Sequence, residues 1–289
     1  MAVLEGLSIQ NYRSLRGVTL GQTFDQQLGK VLPRLMAVIG ANGVGKSTLL
    51  DALGFMGDCL NDGVEAACDR PHRGGFERLR TKGIDEPIKF EIRYRETSQS
   101  RPISYSLHID TDAKGRVCVV YERLRQRRKG QPNGRPYSFL ELTDGNGYAW
   151  SGEEHDGVEG NERVNVQMSD RQVLGIASLG TLKDHPRISQ FRAFLSGWYL
   201  SYFVPELART QPMAGADPHL NRRGDNLAKY LQYIERERPK GFKAALDLIA
   251  TKLPGIESIR SDKAPDGRLL LEFHAAGYDK PFYQQDMSD

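Results

Sequence analysis

Arg34-Leu35-Met36-Ala37-Val38-Ile39-Gly40-Ala41-Asn42-Gly43-Val44-Gly45-Lys46-Ser47-Thr48-Leu49-Leu50-Asp51-Ala52-Leu53 carries three patterns in succession. Residues 34–39 form a compact, largely apolar run of the kind expected in a buried strand. Residues 40–45 are glycine-rich. From Ser47 onward the spacing is helical and places Leu49, Leu50, Leu53 and Met56 on one face. At the junction stands Gly40-x4-Gly45-Lys46-Ser47, the phosphate-binding loop pattern. Its glycines permit the backbone angles that aim successive N–H groups into one concavity. The helix that follows adds the positive end of its dipole. Lys46 is a compact charge that can reach β- and γ-phosphates, and it is the candidate catalytic residue. The Ser47 hydroxyl is the candidate Mg²⁺ ligand, and Thr48 can place an oxygen near the α-phosphate. An accidental match in a chain of this composition is expected at roughly the per cent level. A match between an apolar run and an amphipathic helix is rarer. Gly40, Ala41, Asn42, Gly43, Val44, Gly45, Lys46, Ser47 and Thr48 are therefore read as a site for ATP with Mg²⁺.

Working outward, residues 4–20 read as two short strands with the polar break Arg13-Ser14 between them. Residues 61–87 mix charge and glycine without a clean period. Residues 88–94, 103–109, 117–124 and 137–142 alternate apolar and polar side chains, as half-exposed strands do. Thr143-Asp144-Gly145-Asn146-Gly147 has the composition of a hairpin turn. This stretch reads as an antiparallel meander, and the polar, acidic residues 151–170 as a loop or strand edge. From Asp184 the chain turns helical. Trp198 to Val204 has the look of an aromatic-rich strand, with Trp198, Tyr199, Tyr202 and Phe203 read as core. Asp225-Asn226 can cap a helix running to about Glu237. A further helix, 242–253, and two strands, 256–259 and 269–273, follow. The expected organisation is a nucleotide-binding core over 1–87, an antiparallel β lobe over 88–170, and a helical lobe with returning strands over 171–289.

Leu7-Ser8-Ile9-Gln10-Asn11-Tyr12-Arg13-Ser14-Leu15, together with the Asn42-Gly43 pair and Leu49-Leu50-Asp51-Ala52, resembles the opening of the SMC/RecF/OLD-like branch of ABC-type ATPases. Leu220-Asn221-Arg222-Arg223-Gly224-Asp225-Asn226-Leu227-Ala228 is similar to the helical lobe of RecF-like predicted ATPases grouped under the AAA name. The resemblance implies an α/β fold: a P-loop NTPase core of ABC/SMC-RecF type with a mixed sheet, an antiparallel β lobe and a helical lobe. It also implies that Arg13 sits near the nucleotide phosphates, where arginine suits planar recognition. A head-to-tail homodimer, or a higher homo-oligomer, would trap ATP between protomers and serve DNA repair, DNA maintenance or phage defence. That branch carries its catalytic carboxylates on an apolar strand following a signature segment. Here Met287-Ser288-Asp289 matches only the start of such a signature, and no apolar strand ending in paired carboxylates is found upstream. The chain is accordingly expected to be an N-terminal portion that binds ATP and hydrolyses it little. The alternative function is an ATP-gated regulatory or scaffold subunit controlling a separate effector protein. A GTPase is disfavoured, because no Asn-Lys-x-Asp motif occurs.

Arg123, Arg125, Arg127, Arg128 and Lys129 cluster near a hairpin end and are candidates for contact with a nucleic-acid backbone. The competing reading is a solvated strand end whose charges deter edge pairing. Arg70, His72, Arg73, Arg78 and Arg80 form a second basic stretch, read as a charged surface loop. The net charge of +3 is too small to argue for nucleic acid by itself. No 18-residue apolar run suggests a membrane span. Cys59, Cys68 and Cys118 show no paired metal spacing, and three scattered cysteines fit a reducing cytoplasm. The six histidines have no metal-ligand spacing either.

Overall fold

The computed structural model describes residues 2–24, 30–128, 130, 135–152, 162–198, 200–202, 204–209, 212–213, 215–221, 223–252, 255–283 and 286. Lys129 and the closing Met287-Ser288-Asp289 lie outside them. Two compact units divide the chain, Met1–Tyr199 and Leu200–Asp289.

In the first unit the elements run β1 (Val3–Tyr12), β2 (Leu15–Gly21), α1 (Lys46–Asp62), α2 (Val64–Asp69), α3 (Phe76–Leu79), β3 (Ile88–Arg95), β4 (Ile103–Thr111), β5 (Val117–Gln126), β6 (Tyr137–Thr143), β7 (Asn146–Trp150), β8 (Arg163–Gln167), α4 (Gly175–Leu179) and α5 (Pro186–Ser196). The strands form one sheet of order β2-β1-β3-β4-β5-β6-β7-β8. Every described pairing in it is antiparallel. The expected meander is thus present, and β1 joins it directly to the opening hairpin by pairing with β3. The mixed character expected of the sheet is not seen among the described residues.

Alternation decides which face is covered. Along β3, Ile88, Phe90, Ile92 and Tyr94 are buried while Lys89, Glu91, Arg93 and Arg95 point the other way. The apolar face packs beneath the helices through Phe55 and Met56 of α1, Ile176 of α4 and Phe191 of α5. Phe55 lies between Tyr12 and Phe90, with ring centroids 5.5 and 5.9 Å away. Phe191 meets Tyr105 at 4.8 Å. On α1, Leu49 and Met56 are buried and Leu53 packs against the core as expected, whereas Leu50 is exposed and Asp51 and Phe55 are buried. The sheet contacts the 51/55 side of the helix, which turns Leu50 away.

Residues 34–39 are a clear correction. They form no strand, and Leu35 and Ile39 are 89% and 92% exposed. Both edges of β1 are already taken, by β2 and by β3. A strand beside the glycine loop would need other neighbours, and among the described residues none pairs with it. An apolar run states that burial is favourable, but it does not supply the hydrogen-bonding partner that a strand requires.

One buried carboxylate fastens the helical layer to the sheet. Glu122 of β5 is fully buried on the helix-facing side. It accepts the backbone N–H of Gly175 at 2.5 Å, that of Ile176 at 3.0 Å, and the Tyr105 hydroxyl at 2.9 Å. Burial pushes its carboxyl above the usual range, against the pull of these three donors. Gly175 is required for close approach: an added Cβ would lie 2.5 Å from Leu142 Cδ1 and 2.9 Å from Glu122 Oε2.

The second unit contains α6 (Pro205–Ala208), α7 (Leu227–Glu237), α8 (Pro239–Lys252), β9 (Ile256–Lys263), β10 (Leu269–Ala275) and β11 (Phe282–Tyr283). Its three strands are antiparallel in the order β11-β10-β9. Ala228 is its buried centre, packed by Leu227, Leu231 and Phe273. Asn226 stands at the expected N-cap of α7, yet its side chain does not cap the helix. Instead it accepts the Asn221 N–H and donates to Asp217 and to the His219 carbonyl, closing the preceding loop. The aromatic strand expected over 198–204 does not form among the described residues; Trp198 packs against the core of the first unit as expected, Tyr202 is exposed, and Tyr199 and Phe203 lie outside the described residues. Among the described residues no helix is long and apolar enough to cross a membrane.

Replacing Glu122 by Ala leaves two backbone N–H groups and a tyrosine hydroxyl buried without their acceptor. This should cost about 3 kcal/mol or more of stability, since each orphaned group costs ~1–3 kcal/mol. Urea unfolding of the variant beside the parent measures it, and a loss below ~1 kcal/mol would contradict the clamp.

Candidate functional site

The glycine loop runs directly into α1. Gly43 and Gly45 have φ of +87° and +99°, in the left-handed region that L side chains rarely enter. Gly45 occupies the N-cap, and Lys46 is the first helical residue. The Lys46 ammonium donates to the carbonyls of Gly40 and Ala41, both at 2.8 Å, so it lies across the loop it belongs to. Ser47 is exposed on the first turn, and a Cβ built on Gly43 would meet no atom within 4 Å. An exposed loop with left-handed glycines, a lysine turned inward and a hydroxyl at the helix start fits a nucleotide phosphate chain and its Mg²⁺.

The turn between β1 and β2 packs against this loop. Asn11 and Arg13 both adopt positive φ, +61° and +51°. The strain is held from outside. The Arg13 N–H donates to the Leu79 carbonyl at 2.5 Å, the Thr81 N–H donates to the Asn11 carbonyl, and Asn11 Nδ2 donates to the Pro87 carbonyl. The bent turn brings Ser14 Oγ to 3.4 Å from Thr48 Oγ1. A Cβ on Gly45 would stand 3.3 Å from the same serine oxygen, so the last loop glycine also fits against the turn.

Beneath the loop lies a buried acid. Asp51 is one helical turn beyond Ser47 and only 5% exposed. One of its oxygens accepts the Tyr12 hydroxyl at 2.8 Å and stands 3.4 Å from the Arg13 guanidinium. Its other oxygen accepts Arg73 Nε at 3.2 Å and lies 3.3 Å from His72 Nε2. Arg13 further donates to the His72 carbonyl at 2.8 Å. Burial, then the neighbouring carboxylate, raises the Tyr12 phenol far above its ordinary value, so it remains a neutral donor. Arg73 continues to Asp58 at 2.6 Å and to the Ala67 carbonyl at 3.0 Å, while Arg70 holds Asp58 and Asp62. A carboxylate this close to a phosphate loop would repel its ligand if unneutralised. The Arg13 and Arg73 guanidinium groups beside it offset that charge.

Arg13 is thus placed beside the loop, anchored on Asp51. Tyr12, Asp51, His72 and Arg73 belong to the same cluster, although the sequence assigns Tyr12 and Asp51 no site role and places His72 and Arg73 in a charged surface loop. Arg73 departs from that reading, being 2% exposed, while His72 and Arg78 of the same stretch are exposed as expected. A signal existed for Asp51: it precedes buried Phe55 by one turn, and an acid on a buried helix face must find cations.

Of the basic cluster, Arg123 and Arg125 of β5 lie on the sheet face opposite the helices. Arg123 donates to Ser138 Oγ at 2.6 Å, and Arg125 stacks over the Phe24 ring at 3.3 Å with Glu91 at 3.8 Å. Arg128 lies over Tyr137 at 5.1 Å. Among the described residues, no group of three or more His, Cys, Asp or Glu side chains is placed to hold a metal.

The model of one protein family, described as "AAA domain, putative AbiEii toxin, Type IV TA system", matches residues 35–289. No curated protein matches the chain.

Asp51→Ala would strand the Tyr12 hydroxyl and leave the buried Arg73 guanidinium held by Asp58 and the Ala67 carbonyl. The expected loss is about 3 kcal/mol, the low end of the range for breaking a buried ion pair by removing one partner, because Arg73 keeps a second carboxylate. Chemical denaturation of the variant decides it; stability within ~1 kcal/mol of the parent would mean that the cluster is not the anchor of the loop.

Proposed function

The chain belongs to this family of AAA domains, P-loop NTPases that as a family bind ATP with Mg²⁺, and from that premise we propose that it is an ATP-driven switch of the RecF/SMC-like kind. The observation that carries the proposal is the β1–β2 turn seated on the loop, with Ser14 against Thr48 and Arg13 anchored one helical turn below Ser47. In this reading the Gly40–Gly45 backbone and Lys46 hold the phosphate chain, and Thr48 adds an oxygen donor. Ser47 supplies an oxygen to Mg²⁺, which when bound neutralises phosphate charge. Arg13 lies on a strand turn, so phosphate occupancy would be felt by β1 and, through β3, by the rest of the sheet. Nucleotide-dependent association of two copies would couple that response to DNA. The basic cluster Arg123, Arg125, Arg127, Arg128 and Lys129 is the proposed contact.

A second reading follows from the family description, which names a toxin–antitoxin system. Here the same domain is an ATP-gated regulatory subunit of a toxin–antitoxin or phage-defence pair, and it acts on an effector protein with little turnover. Nucleotide binding is common to both readings. They part on whether DNA affinity responds to ATP, which a titration with and without nucleotide measures.

Lys46→Ala should leave the fold intact, because the ammonium bonds only to carbonyls of an exposed loop. ATP affinity in the presence of Mg²⁺ should fall by about 30- to 150-fold, the equivalent of ~2–3 kcal/mol of charge-assisted hydrogen bonding. Isothermal titration calorimetry reads this directly; an unchanged affinity would remove the phosphate-loop assignment.

A further inference from the structure

The sheet face that carries no helix holds a cavity of about 380 Å³ at the β3–β4–β5 end. Six arginines line it: Arg93 and Arg95 from β3, Arg101 from the β3–β4 connection, Arg125 from β5, and Arg127 and Arg128 just beyond it. No carboxylate occurs in the lining among the described residues. Three of the six lie outside the cluster legible in the sequence, because strand register rather than chain proximity brings them together. Arg93 pairs with Ser104, and Ser104 pairs with Arg125. A small side chain on β4 therefore separates two long ones on the strands either side of it, about 5 Å away at each step, which opens a trough with guanidinium walls.

The walls are held in place from behind. Glu5, itself buried, takes Arg93 Nε on one oxygen at 3.0 Å and Arg95 Nε on the other at 2.5 Å. Arg95 also donates to the Ser100 carbonyl, and Arg101 to the Arg127 carbonyl, both at 2.5 Å. Gln126 donates to the Arg101 carbonyl, tying the β3–β4 connection to the end of β5. The lining also includes the apolar side chains of Phe24, under the Arg125 guanidinium, and of Pro102 and Pro136. Preorganised planar forks suit phosphate oxygens, and apolar lining suits a sugar or base. The volume lies in the range that encloses a small ligand.

We propose that this cavity is a second phosphate site, built to hold one nucleotide unit and separate from the glycine loop of α1. The unit is either a free nucleotide or one residue of a nucleic-acid strand. The chemistry is the same in both cases, and the probes below tell them apart.

The experiment uses the full chain carrying Lys46→Ala, so that the glycine loop contributes little. Three probes are titrated: inorganic pyrophosphate, adenosine monophosphate, and a fluorescently labelled single-stranded oligonucleotide. Binding of either small probe identifies a free nucleotide as ligand; binding of the oligonucleotide alone identifies a strand. In each case Arg101→Gln with Arg128→Gln should weaken the bound probe about tenfold or more, as expected for losing two charge-assisted contacts. For the oligonucleotide, the slope of log affinity against log salt should also fall by between one and two. Arg101→Lys with Arg128→Lys keeps both charges and should recover part of the affinity, which separates loss of charge from loss of fold. If the glutamine pair does not fold by circular dichroism, Arg128→Gln alone is used with the same expectation at smaller size. No binding of any probe, or equal binding by parent and glutamine variants, overturns the proposal. ATP binding that survives Lys46→Ala undiminished, and is also unaffected by the arginine changes, would count against the glycine-loop reading instead.

Discussion

Asp51 is buried near the start of a helix whose N-terminus is open for phosphate, and these two facts pull against each other. A lone carboxylate there would raise the negative potential where anions should enter, and its own burial would be costly. The chain resolves both by gathering Tyr12, Arg13, His72 and Arg73 onto the two carboxylate oxygens. The result is also mechanical. Tyr12 and Arg13 belong to the β1–β2 turn, and Arg73 lies between α2 and α3, so one acid joins the first hairpin to the helical layer. The positive φ of Asn11 and Arg13 is tolerated because the turn is bonded on several sides at once.

The sheet separates two chemistries by its period of two. Residues facing the helices are mostly apolar, and the buried Glu122 among them accepts hydrogen bonds from α4 and Tyr105. Residues on the other face include the arginines of β3 and β5 with Glu5 and Glu91 between them. His108, on that second face, is held down to about 4 by burial and by nearby Lys89, so it is neutral near pH 7. The arrangement leaves guanidinium groups as the dominant cations of that end of the sheet among the described residues.

Much of the fold was readable because the meander announces itself. β3 alternates cleanly, β4 to β6 alternate in part around bulges at His108/Ile109 and Leu124/Arg125, and Asp144-Gly145 marks the hairpin turn between β6 and β7. Helices α5, α7 and α8 likewise carry their own periodicity. The failures share a cause. Residues 34–39 and 198–204 have strand-like composition, but a strand exists only where a neighbour offers hydrogen bonds, and composition does not name the neighbour. Leu50 was assigned inward because Leu outranks Asp in hydrophobicity, whereas four polar partners made burial of Asp51 the better arrangement.

The sequence by itself determined the glycine loop and its lysine, since phosphate recognition by backbone N–H groups is local: a few consecutive residues suffice to form the concavity. The family match over residues 35–289 agrees with that local reading. Only the tertiary structure decided where charge accumulates. Asp51 and Arg73 are separated by 22 positions, Glu5 and Arg95 by 90, yet each pair is within hydrogen-bonding distance. Such contacts depend on which strands pair and in which register, quantities that a one-dimensional pattern of apolar and polar residues leaves open because many registers satisfy the same pattern.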